Sequence, residues 1–181
     1  MTTQSPLNSP AAGRVPRRWI LSLVPAYGLL LATVGAQPIA AADGPASTGT
    51  VLFVCEHGSA KSLLAATLFN REAARRHLGF RAIARGTTPD GAPQPATRDG
   101  LRSDGVDIAA FVPQRVTTAD IESAIAIVVF EVDLSSLNPA LRPVARWDNV
   151  PPVSTNYSRA RDAILQSVDD LIQQLQSAET R

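Results

Sequence analysis

Two uninterrupted apolar runs, TVLFV at residues 50–54 and IAIVVF at 125–130, set the narrowest limits on the fold. A strand with one wet face alternates apolar and polar residues. A continuous β-branched run is expected instead in a parallel sheet covered on both faces. FRAIARG at 80–86 and PVARW at 143–147 are further strand candidates. Helical patterns fill the intervals. Ser62 to His77 places Leu64, Ala65, Leu68, Phe69 and Ala73 on one face, with Arg75, Arg76 and His77 in the last turn. Ala96 to Asp104 is a second helix, closed by Gly105, and Val106 to Phe111 reads as a short extended piece. Thr117 or Thr118 caps a short helix through Glu122. The last helix, Ser158 to Ala178, turns Ala160, Ile164, Val168, Leu171, Ile172 and Leu175 inward. Strands alternating with helices predict an α/β fold, a parallel sheet flanked by helices, with right-handed crossovers.

In such a sheet ligands bind beyond the carboxyl ends of the strands. The first run ends there in Cys55, and the chain continues EHGSAKS into the helix. A loop of this length between strand and helix can curl its N–H groups inward and form an anion nest, aided by the helix N-terminus. The same field favours a thiolate at Cys55. Lys61 adds a full positive charge, and Ser62 can cap the helix or donate to the thiolate. Glu56, His57, Gly58, Ser59, Ala60 and Lys61 are thus the candidate oxyanion-binding residues. A thiolate beneath an oxyanion cradle is arranged for nucleophilic attack with a covalent intermediate. Glu131 and Asp133, following the third strand, are expected as loop acids near the same edge.

The first 42 residues stand apart. They carry Arg14, Arg17 and Arg18, no acidic residue, and the apolar stretch 20–36 followed by small residues. This order is that of a secretory signal peptide, cleaved or retained as an anchor, and predicts an exported protein, periplasmic or secreted. Residues 43–49 read as a linker and 50–178 as the folded domain. Of 17 basic residues, removing three with the leader leaves 14 against 16 acidic, a net charge of −2. That gives no case for nucleic-acid partners. Membrane contact is expected only if the leader is retained. One cysteine excludes an internal disulfide, and two histidines with one cysteine make no recognisable zinc site.

The strand, Cys-x5-Lys-Ser and helix resemble the low-molecular-weight protein-tyrosine-phosphatase family, whose signature is Cys-x5-Arg-Ser and which includes the thioredoxin-coupled arsenate reductases. The likeness extends through ARGTTPDGAPQPATRDGLRSDGVDIAAFVPQRVTTADIESAIAIVVF and covers about residues 50–175. It implies a four-stranded parallel sheet flanked by helices and no metal or organic cofactor. It also implies a phosphate-bearing or other oxyanion substrate, with Cys55 as nucleophile, Lys61 and Ser62 in support, and an acid before the last helix.

This chain departs from that pattern at three places. Lys61 replaces an arginine whose planar fork would grip two oxygens. His57 and Gly58 stand where Gly and Asn are usual. Pro151 stands where the family's acid precedes a proline, leaving Asp148 as the nearby carboxylate. The expected function is phosphate monoester hydrolysis. The alternatives are a weakened oxyanion-binding module, or arsenate reduction on one cysteine with an external thiol in place of resolving cysteines.

Overall fold

The computed structural model describes residues 49–137 and 144–180. The leader, most of the linker and the first residue of the 143–147 strand candidate lie outside the described residues. Four strands are present: β1 (Gly49–Cys55), β2 (Phe80–Gly86), β3 (Ala124–Val129) and β4 (Val144–Arg146). They form one sheet in the order β2-β1-β3-β4, and every pairing is parallel. Helices α1 (Lys61–Arg75), α2 (Pro95–Ser103), α3 (Thr118–Ser123) and α4 (Tyr157–Glu179) connect and follow the strands.

β1 shows why its sequence does not alternate. Val51, Phe53 and Cys55 join one apolar cluster with Leu64, Leu68 and Phe69 of α1 and Ile164, Val168 and Ile172 of α4. Leu52 and Val54 join the opposite cluster with Ile121 of α3 and Ile127 and Val129 of β3. Both faces of the central strand are covered, so both sets of side chains are apolar. Phe53 is fully buried, its ring 6.0 Å from that of Phe69 and 5.5 Å from that of Trp147. Burying such a side chain contributes about 1.5–3 kcal/mol. It anchors the strand two residues before the thiol.

Two local expectations change. Val106–Phe111 is not extended throughout, because the Asp107 carboxylate accepts from the Ala109 N–H (2.9 Å) and the chain turns there. Helix α1 starts one residue early, with Ala60 at its N-cap and no side-chain cap bond. Ser62 therefore lies inside the helix. Thr117 does cap α3, in a reciprocal box with Asp120.

Candidate active site

Sheet order fixes where chemistry can occur. β1 has β2 on one side and β3 on the other, so the connections leave in opposite directions and open a crevice beyond their carboxyl ends. Cys55 ends β1, and Glu131 follows β3 after Phe130. Both flank that crevice.

The loop from Cys55 to Lys61 is locked from behind by the segment that follows β2. The amides of Thr87, Thr88, Asp90 and Gln94 donate to the carbonyls of Cys55 (3.1 Å), Glu56 (2.8 Å), His57 (3.1 Å) and Ser59 (3.0 Å). With the loop's carbonyls engaged on its outer side, its amides turn inward. The Gly58 N–H donates to the Cys55 Sγ at 3.2 Å. Among the described residues, the amides of His57, Ser59, Ala60 and Lys61 meet no protein acceptor. They leave four unpaired donors at the N-terminus of α1, the arrangement an anion nest requires.

Glycine is required at two points. Gly58 has φ +66°, a left-handed conformation. A Cβ on Gly86 would come within 2.7 Å of the Gly58 nitrogen and 2.9 Å of the Glu56 oxygen.

The thiol is buried at the floor of this loop, 7% exposed. The Ser62 hydroxyl lies 3.0 Å from Sγ and is itself fully buried. Of its two expected roles, the structure shows the contact with the thiol; the cap position has passed to Ala60. The sulfur thus has two polar neighbours, the Gly58 N–H and the Ser62 hydroxyl.

Lys61 is buried to 9% exposure, and its Nζ donates to Glu131 Oε2 at 2.6 Å. Glu131 sits at φ +56°, which costs a residue with a Cβ about 1–2 kcal/mol. Its conformation is held by Asp148, whose Oδ1 accepts from the Glu131 N–H at 2.8 Å and whose Oδ2 accepts from Arg146 Nε at 2.9 Å. The Glu131 amide, then Arg146, hold the Asp148 carboxyl below its ordinary range. That is opposite to what a general acid requires near neutral pH.

A cavity of about 180 Å³ opens over the thiol. Cys55, Lys61, Gln94, Phe130, Glu131 and Pro152 line it, with Glu56, His57 and Ala60 of the loop. Ser59 and Ser62 are buried behind this wall; the Ser59 hydroxyl donates to Asp90 Oδ2 at 2.6 Å. His57 is half exposed, with Nδ1 3.4 Å from Asp90 Oδ1. Asp148 is not among the lining residues. Glu131, expected only as a loop acid, lines the cavity, as Glu56 of the loop does. Its position after the strand neighbouring β1 is the signal that could have found it. A second overlooked signal is compositional: Lys61 is the only lysine among 17 basic residues.

A buried thiol beneath a strand-to-helix loop of unpaired amides, at the carboxyl edge of a parallel sheet, defines the class of α/β domain. A sequence model described as "Low molecular weight phosphotyrosine protein phosphatase" matches residues 50–145, just over half of the chain. The chain belongs to the low-molecular-weight phosphotyrosine protein phosphatase family. A search of curated proteins found no match.

Among solved structures, YfkJ from Bacillus subtilis is 19% identical, covering 75% of this chain and 99% of its own, with a TM-score of 0.61. A low-molecular-weight phosphotyrosine phosphatase from Vibrio cholerae O395 is 20% identical, covering 71% and 97%, at 0.58. An arsenate reductase in the phosphate-binding state is 16% identical, covering 70% and 98%, at 0.59. At these identities the structures establish the fold, a four-stranded all-parallel sheet with flanking helices.

Proposed function

We propose that this chain is an exported cysteine-dependent hydrolase of phosphate monoesters. The observation that carries the reading is the Cys55 sulfur, contacted by the Gly58 N–H and the Ser62 hydroxyl at the floor of a cavity that Lys61 lines. In this reading the Sγ thiolate attacks phosphorus, an S–P bond forms, and the ester P–O bond breaks as the phenolate leaves. Water then cleaves the S–P bond and restores thiolate and inorganic phosphate. The loop amides and Lys61 take up charge on the non-bridging oxygens. Asp148, expected as the leaving-group acid, is engaged by Glu131 and Arg146, so esters of acidic phenols are the favoured substrates. The basic and apolar leader supports export.

The test is aryl phosphate hydrolysis by the full chain and by its Cys55→Ser variant. Turnover by the wild type alone is expected; equal rates overturn the proposal. A second reading, oxyanion binding without turnover, is favoured by the tie between Lys61 and Glu131. It predicts thermal stabilisation by phosphate or arsenate with no product. One-cysteine arsenate reduction would consume two equivalents of an external thiol, yielding disulfide, arsenite and water. An arsenate-dependent thiol-consumption assay separates it from both.

A further inference from the structure

An oxyanion site ordinarily presents donors and positive charge. This one also presents acceptors. The only lysine of the chain faces the cavity already bound to a carboxylate, at 2.6 Å. That carboxylate is held by construction: the left-handed turn at Glu131 is fixed through its N–H by Asp148, itself fixed by Arg146. A second acceptor is independent of this chain of contacts. Gln94 lines the same cavity, and its Oε1 is buried with no partner among the described residues. A buried acceptor without a donor is costly, and a ligand hydroxyl supplies one.

We propose that Glu131 makes this a site for protonated oxyanions, selecting hydrogen phosphate or hydrogen arsenate over sulfate. One ligand oxygen accepts from Lys61 and the loop amides, while a ligand O–H donates to Glu131, with Gln94 Oε1 as the other available acceptor. A fully deprotonated tetrahedral anion of similar size has no proton to give. It would set an oxygen lone pair against a carboxylate whose charge already neutralises the lysine. The proposal rests on the oxyanion-site reading and deepens it: Glu131 determines specificity among free tetrahedral oxyanions.

The single cysteine provides the readout. The full chain is alkylated with iodoacetamide at neutral pH and constant ionic strength, and protection of Cys55 is titrated with phosphate, arsenate and sulfate. Phosphate and arsenate are expected to protect at concentrations about tenfold or more below sulfate, the change that one hydrogen bond to a charged group supplies. Glu131→Gln replaces an acceptor by an amide that can donate, and the ratio is expected to fall towards one. Glu131 is 61% exposed, so the variant is expected to fold, and a melting curve checks it. Equal protection by sulfate and phosphate in the wild type overturns the proposal. So does a ratio that survives Glu131→Gln. Protection by none of the three anions overturns the oxyanion-site reading itself, and the proposal with it.

Discussion

The two walls of the cavity are held in different ways. The thiol wall is backbone: four amides from the segment after β2 fix the carbonyls of the cysteine loop, and Gly58 and Gly86 touch where no side chain fits. The carboxylate wall is side chain: Glu131 is held through Asp148 and Arg146, all of them exposed. Backbone contacts of this kind tolerate few substitutions without strain, whereas exposed ion pairs contribute little to stability and can be exchanged cheaply. The thiol is therefore rigidly placed, and the carboxylate paired with Lys61 sits where variation costs least.

Four substitutions probe that contrast, from the largest effect to the smallest. Phe53→Ala removes the anchor beneath the thiol and should cost about 3–5 kcal/mol of stability in denaturant titrations. Gly86→Ala drives a methyl into the cysteine loop. It should destabilise by about 1–3 kcal/mol and lower turnover about a hundredfold through displacement of the cradle. If the variant keeps wild-type turnover, the loop is not held as described. Ser62→Ala removes one partner of the sulfur and should slow Cys55 alkylation about tenfold with the melting curve little changed.

Asp148→Ala should barely move the melting curve yet narrow the preference for phosphate over sulfate. The pH dependence has a definite sign. Asp148 has a lowered folded-state value, so its contribution is whole above the ordinary pKa of 3.8 and is lost as pH falls through the lowered value. The small difference between wild-type and Asp148→Ala melting curves should be present above pH 3.8 and close below it.

The same contrast explains what could be read from the chain. β1 and β3 were legible within a residue or so because burial on both faces leaves unbroken apolar runs, and β2 because its burial alternates along FRAIARG with Phe80, Ala82 and Ala84 inward. The loop geometry was legible because Cys-x5-Lys-Ser places thiol, turn and lysine within one short stretch. Glu131 was not, because its partnership with Lys61 spans 70 residues. It depends on β3 lying beside β1 and on a left-handed turn that no local pattern announces. Ser62 kept two readings until the helix start was fixed at Ala60, since a hydroxyl near a helix N-terminus serves a cap or a neighbour equally well. Asp107 hid a turn inside a segment whose apolar residues suggested extension, because the deciding contact is one side chain to one amide.

The central claim is that Cys55 is a nucleophile in a backbone cradle, and trapping its intermediate tests this most directly. The full chain is mixed with an aryl phosphate, quenched in acid within the first turnovers, and mapped by peptide mass spectrometry. The account predicts phosphate on the peptide containing Cys55 in the wild type, more of it when water attack is slowed, and none in Cys55→Ser. Product release without a phosphorylated Cys55, at a rate undiminished in Cys55→Ser, would contradict it.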